Sequence, residues 1–330
     1  MICKLCKSAN LFFFHSIHFF FLKNATQVFC RDCTLVFKKE KNDINYSTEQ
    51  YRKRSNKQKI SNEIINIYDP WSIVSGLRSK NISNKVYKYK KKINSWLDYG
   101  GYDGSMLAEL KGRKKIKTTT VAEVNSTDLK IAKFKGHKII NLNKSKIKLK
   151  YDVISLVHVL EHIENPLQIL NMLKKNLKSN GLLYIEVPNL FNFPDSDITH
   201  VNEFNKISLE NLILKSNFKI LEISYNSTPE FSKKLDWFYN NKKENIYLIL
   251  KKNEFNINSN EKLKTYNTFW FFVKYYLGQN FLLFIFAINN FQIFGSIYRF
   301  AKGMILFIFG IFILPFQILN LFFPIIFKKI

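Results

Sequence analysis

Leu97-Asp98-Tyr99-Gly100-Gly101-Tyr102-Asp103-Gly104 is the stretch on which the fold turns. An apolar run at 93–99 leads into it and a helical pattern at 105–110 leaves it, so it reads as a glycine-rich turn from a buried strand into a helix. Glycines at such a turn let the backbone bend tightly and approach a ligand closely. Outward from this point, apolar runs at 119–124, 138–140, 153–159 and 182–187 read as further buried parallel strands. Helical patterns at 127–134 and 166–177 separate them, and Asn180-Gly181 marks a turn. An amphipathic helix at 208–216 and late strands at 218–225 and 245–251 follow. This alternation predicts an α/β fold, a doubly wound sheet with helices on both faces.

Glu123 closes the second of these strands. A carboxylate there can accept both hydroxyls of a ribose and repels a 2′-phosphate. A nicotinamide-binding turn would require G-x-G-x-x-G, which Tyr102 breaks.

Taken in order, several motifs carry a resemblance. They are Asp98-x-Gly100-x-x-x-Gly104, Glu123, Tyr151-Asp152-Val153-Ile154-Ser155-Leu156, and Leu160-Glu161-His162-Ile163. Leu177-Lys178-Ser179-Asn180-Gly181-Leu182-Leu183-Tyr184-Ile185 and Pro188-Asn189 complete the set. Over about 93–251 the chain resembles class I methyltransferases. That resemblance implies a Rossmann-like domain using S-adenosylmethionine. It assigns Asp98, Gly100, Gly101 and Gly104 to the cofactor turn and Glu123 to the ribose. It puts Asn141 near the adenine, and Leu156 to His158 by the adenine or the methyl group. The usual second glycine of the family's turn is replaced by Tyr102.

Methyl transfer is an in-line displacement from a sulfonium, so the protein supplies positioning and a base. His158, Glu161 and His162 stand at i, i+3 and i+4, which on a helical turn is one face. They follow the fourth strand, at the sheet edge where such folds bind ligands. His158 or His162 could deprotonate a hydroxyl. The three could instead hold a divalent metal, as in some O-methyltransferases with a similar Glu-His motif, or only shape the loop. His200, in His200-Val201-Asn202-Glu203-Phe204, resembles a family position facing the substrate. Asp152, opening a buried strand, reads as structural.

The chain has four cysteines: Cys3, Cys6, Cys30 and Cys33. Two C-x-x-C pairs with no cysteine elsewhere predict a structural zinc site, each pair forming one knuckle, and a reducing compartment. His15 and His18 then fall in the connecting hairpin. Cys30-Arg31-Asp32-Cys33-Thr34-Leu35-Val36-Phe37 is similar to the zinc-binding module that precedes some sugar and natural-product methyltransferases. In that group the module helps hold the substrate. The group's C-methyltransferases carry a large C-terminal domain, where this chain has an apolar tail. Lys4 and Lys7 before the apolar stretch 11–22 imitate a secretory signal, but His15, Ser16 and His18 interrupt it and no small-x-small cleavage site follows cleanly.

Lys and Arg number 51 against 25 Asp and Glu, a formal charge of +26 in 330 residues. Lys, Asn, Ile and Phe are jointly abundant, as adenine/thymine-rich codons would produce, and the basic runs at 52–59, 88–92, 113–117 and 144–150 are scattered between elements. Solvated faces account for most of them, with attraction to an anionic membrane or phosphorylated substrate for the rest. Residues 304–327 contain no charged side chain. As a helix at about 1.5 Å per residue they span about 36 Å, against a hydrocarbon layer of about 30 Å. Pro315, Gln317, Asn320, Arg299 and Lys302 keep an interfacial hairpin open beside a span.

The expected organisation is a zinc module at 1–40, a helical linker at 41–92, a methyltransferase domain at 93–252 and an apolar, membrane-associated helical tail at 265–330. The expected acceptor is a small molecule, namely a sugar, a glycan precursor or a lipid-linked compound, at the cytoplasmic face of the membrane. A nucleic-acid methyltransferase and a non-catalytic scaffold stand as alternatives, with nucleic acid the less expected partner.

Overall fold

The computed structural model describes residues 1–18, 23–39, 70–192, 200–227, 244–253, 262–268, 270–272 and 274–275. Most of the expected linker and the whole apolar run at 304–327 lie outside the described residues. Among the described residues no helix is long and apolar enough to cross a membrane.

The N-terminal module is a hairpin of β1 (Leu11–His18) and β2 (Lys23–Cys30), followed by β3 (Val36–Lys38). His15 and His18 fall on β1, within the hairpin expected to contain them. Helix α1 (Pro70–Tyr89) starts at Pro70, a residue preset for the first helical position. It is a layer of the main domain and not a linker, because Ile82 and Val86 are fully buried with Trp96, Leu107 and Leu110. Then come β4 (Ser95–Tyr99), α2 (Ser105–Arg113), β5 (Thr118–Glu123), α3 (Ser126–Phe134), β6 (Lys138–Asn141) and β7 (Tyr151–Val157). A short 3₁₀ turn (Leu160–His162), α4 (Pro166–Lys175), β8 (Leu177–Pro188), β9 (Asn202–Glu203), α5 (Lys206–Lys215), β10 (Phe218–Asn226) and β11 (Asn245–Lys252) complete the order.

Seven strands form the central sheet in the order β10-β11-β8-β7-β4-β5-β6. The five from β8 to β6 run parallel, and β11 is antiparallel to both its neighbours. The buried strands read as apolar runs because both faces are covered; β7 is buried from Tyr151 to Leu156. Asn180-Gly181 does not end a strand. It sits inside β8 where the register to β7 jumps from Tyr151↔Leu177 to Val153↔Leu182, so the turn signal appears as an irregularity. Local caps fix the helices. The Asn125 side chain accepts from Thr127 and Asp128 N–H, and Asn205 with Ser208 forms a capping box on α5.

A second sheet, β1-β2-β3-β9, joins the module to the main domain. Strand β9 pairs antiparallel with β3 through Val36↔Glu203 and Phe37↔Asn202. The start of the expected tail is also packed on protein. Phe271, Phe272 and Tyr275 are buried with Phe14, Phe29, Leu190 and Phe191, and Phe271 stacks on Phe29 at 4.1 Å.

Candidate active site

Strand order reverses between β4 and β7, and in open α/β sheets the crevice beyond that point binds ligands. The loop after β4 and the turn after β7 touch there: a Cβ on Gly100 would lie 2.5 Å from Val159 Cγ2. Gly100 has φ +70° and Gly104 φ +77°. Between them Tyr102 takes φ +51°, so the departure from glycine keeps the left-handed backbone at a cost of about 1–2 kcal/mol. Its N–H donates to Glu123 Oε2 at 3.2 Å, which offsets part of that cost. Glu123 Oε1 accepts from Val124 N–H at 2.7 Å, so the acid ending β5 is fixed in place under the loop. Asp98 lies beneath Gly101, where a Cβ would come within 2.8 Å of Oδ2. Burial pushes its carboxyl up to about 7; the Ser155 hydroxyl, donating to Oδ1 at 2.7 Å, opposes this and the Glu123 charge adds to it.

The structure therefore gathers Asp98, Gly100, Gly101, Gly104 and Glu123 at one sheet edge. Asn141 stands opposite Glu123 at the end of β6, and its Oδ1 accepts from Asn143 N–H at 3.0 Å. Leu156 is fully buried in the main core, and the partly exposed residues that follow it are Val157, His158 and Val159.

His158, Glu161 and His162 do not share one helical face. His158 has φ +54° and its N–H donates to the Glu186 carbonyl at 2.9 Å, so the chain leaves the helical path before the three-residue 3₁₀ turn begins. Two acids flank the His158 ring: Nδ1 lies 3.4 Å from Glu161 Oε1 and Nε2 3.7 Å from Glu186 Oε1. Burial disfavours the imidazolium and Arg78 adds to this, yet the two acids outweigh both and raise the His158 pKa. Burial likewise opposes the Glu161 charge, but His158, His162 and His200 bring its carboxyl down to about 2. His162 faces the other way and meets His200, ring centroids 4.9 Å apart. One ligand-capable atom each from Glu161, His162 and His200 lies within 4.8 Å of the others.

Glu186 is not singled out by the sequence, although an acid inside the apolar run at 182–187 was the available signal. It is buried, accepts from Tyr184 Oη at 2.6 Å and Asn226 Nδ2 at 2.9 Å, and has Arg78 Nε at 3.8 Å. Asp152 is structural as expected, accepting from Asn94 and Ser95 N–H and from Lys178 Nζ, each at 3.0 Å.

The four cysteines also converge. Cys3 and Cys33 sulfurs are 3.5 Å apart, and Cys6 and Cys30 3.4 Å. Zinc–thiolate bonds of about 2.3 Å require tetrahedral sulfurs about 3.8 Å apart, so the set fits zinc after a few tenths of an ångström of expansion. Leu5 N–H points at Cys3 Sγ at 3.4 Å, as a knuckle amide does. Bound there, zinc would fix the two knuckles to each other. The module grips the main domain by buried polar contacts. Asn211 Nδ2 donates to the Cys33 carbonyl at 3.0 Å, Asn205 Nδ2 to the Thr34 carbonyl at 3.0 Å, and Gln27 Nε2 to Glu203 Oε1 at 2.8 Å. Val201 N–H donates to the Glu161 carbonyl at 2.9 Å. A continuous path thus runs from the cysteines through β3 and β9 to His200 and Glu161.

A family profile described as a methyltransferase domain matches residues 77–223. No curated protein matches the chain. Among solved structures, the chain is similar to an S-adenosylmethionine-dependent methyltransferase from Clostridium acetobutylicum, with 14% identity over 62% of this chain and 99% of that one and a TM-score of 0.43. It is similar to a SAM-dependent methyltransferase from Archaeoglobus fulgidus, with 18% identity over 54% and 94% and a TM-score of 0.43. The plantazolicin methyltransferase BpumL, in complex with a triazolic desmethylPZN analog and SAH, has 18% identity over 63% and 95% and a TM-score of 0.46. Residues 77–223, built around the glycine turn and its strand-end acid, match the model of a methyltransferase-domain family, and the chain carries an S-adenosylmethionine-dependent methyltransferase domain.

Proposed function

We propose that the chain methylates a hydroxyl of a sugar, a glycan precursor or a lipid-linked acceptor. The observation that carries this reading is the convergence of Glu161, His162 and His200 beside the turn that meets Gly100. Glu123 and the 98–104 loop hold the cofactor, and the histidine–carboxylate side orients the acceptor oxygen and takes its proton. The cysteine module holds zinc, and through β9 it forms the wall of the acceptor side. The charge-free run at 304–327 and the basic surface hold the enzyme at the cytoplasmic face of the membrane.

The test is transfer of labelled methyl from S-adenosylmethionine to nucleotide sugars, lipid-linked sugars and bulk RNA in parallel. Label is expected in a sugar-containing acceptor and not in RNA. Salt-sensitive labelling of RNA alone would overturn the acceptor class.

A further inference from the structure

We propose that Lys135 is a positioning residue for the cofactor: from the far end of α3 it fastens the turn at 102–105, strained at Tyr102, in the shape that binds S-adenosylmethionine. Lys135 Nζ donates to Asp103 Oδ2 and to Ser105 Oγ, each at 2.6 Å. The Asp103 side chain is 6% exposed and that of Lys135 24%. Asp103 Oδ1 accepts from Ser105 N–H at 3.0 Å, and Oδ2 also accepts from Ser105 Oγ at 3.0 Å. One ammonium thus ties together the polar groups at the end of the loop. A short ion pair shielded from water keeps more of its attraction than a surface pair does.

Lys135 is itself firmly rooted. It caps the C-terminus of α3, and its N–H donates to the Ile131 carbonyl at 2.9 Å. Gly136 follows at φ +81°, and His137 N–H returns to the Ala132 carbonyl at 3.1 Å, which closes the helix end. The other end of α3 begins just after Glu123, whose Oε2 takes the Tyr102 N–H at 3.2 Å. Both flanks of the helix therefore hold the same turn, Glu123 through the Tyr102 backbone and Lys135 through the Asp103 carboxylate. The need for two holds lies in Tyr102. Gly100 and Gly104 take positive φ without cost, whereas Tyr102 takes φ +51° with a side chain attached. Such a residue persists only where its surroundings over-determine it. Without Lys135, Asp103 would be a buried carboxylate lacking its counter-charge. The turn would then gain by letting Tyr102 leave the left-handed region, which carries its N–H off Glu123.

Lys135 takes this role only if the 98–104 loop and Glu123 hold the cofactor, as read above. The experiment is calorimetric titration of the full chain with S-adenosylmethionine, with melting temperature and hydrogen exchange at 101–105 followed in each variant. Lys135→Met should weaken the cofactor by about tenfold or more and raise exchange at 101–105. Lys135→Arg, which keeps the charge and two donors, should stay within about threefold of the parent. On a Tyr102→Gly background the strain is gone, so adding Lys135→Met should cost less than about threefold. That dependence on Tyr102 is one that a lysine serving stability alone would not show. Should Lys135→Met fail to fold, Asp103→Asn, which leaves no buried charge uncompensated, is expected to lose affinity to the same extent. A folded Lys135→Met or Asp103→Asn chain with parental affinity would overturn the tether, and so would an equal loss on the Tyr102→Gly background. Those results leave the parent binding cofactor; a folded parent that binds none would overturn the cofactor loop and the tether together.

Discussion

At the scale of single residues, the cofactor loop is held by backbone conformations that side chains resist. Gly104 combines φ +77° with a close neighbour: a Cβ would fall 2.6 Å from His137 Cδ2. His137 cannot swing away freely, since Nδ1 is 2.8 Å from Thr119 Oγ1 in a buried site. Gly104→Ala should therefore lower stability by about 2 kcal/mol or more, read as a lower melting temperature with two-state unfolding retained. An unchanged melting temperature would show that the loop relaxes. His137 has a pH signature as well. Burial, with Lys111 and Lys135 nearby, lowers its pKa from 6.5 to about 4. The unfolded chain then binds the proton more readily, so this stability is present above pH 6.5 and is lost as pH falls toward 4. The melting temperature of the parent should fall over that window more steeply than that of His137→Gln; parallel profiles would refute the assignment.

At the scale of elements, the turn chemistry of the glycine loop, Glu123 and the strand–helix alternation were legible because they are local. Each rests on a few consecutive residues and a fixed period. What the sequence concealed is pairing across distance. Nothing in His158-Val159-Leu160-Glu161-His162 reveals that a left-handed His158 breaks the helical spacing, or that Glu186 on the neighbouring strand claims that ring. Nor does Cys33 announce that the strand after it will pair with β9 and so position His200. This coupling gives a prediction at its own scale. Cys33→Ser should loosen the knuckles, and with them the β3–β9 pairing, while the 98–104 loop stays intact. Hydrogen exchange at 200–205 should rise by about tenfold or more with cofactor affinity held within about threefold. Unchanged exchange at 200–205 in a folded variant would separate the module from the acceptor side.

At the scale of the whole molecule, the described parts are joined by packing and not merely strung in a row. Helix α1 belongs to the methyltransferase layer through Ile82 and Val86. The cysteine module bridges that layer and the beginning of the C-terminal segment, where Phe271 stacks on Phe29 and Asn211 Nδ2 donates to both the Cys33 and Lys264 carbonyls. The lysine pairs that cross these joints, Lys4–Glu164 and Lys264–Glu210, are largely exposed and worth under about 1 kcal/mol each. What the assembly serves is one crevice, at the reversal of strand order between β4 and β7. The most direct measurement is calorimetric titration of the full chain with S-adenosylmethionine, alongside Glu123→Ala. Binding of one cofactor per chain by the parent, weakened at least about tenfold in the folded variant, is the predicted result. A folded parent that releases no heat of binding, or a variant that binds as tightly as the parent, would contradict a cofactor site built on the glycine loop and Glu123.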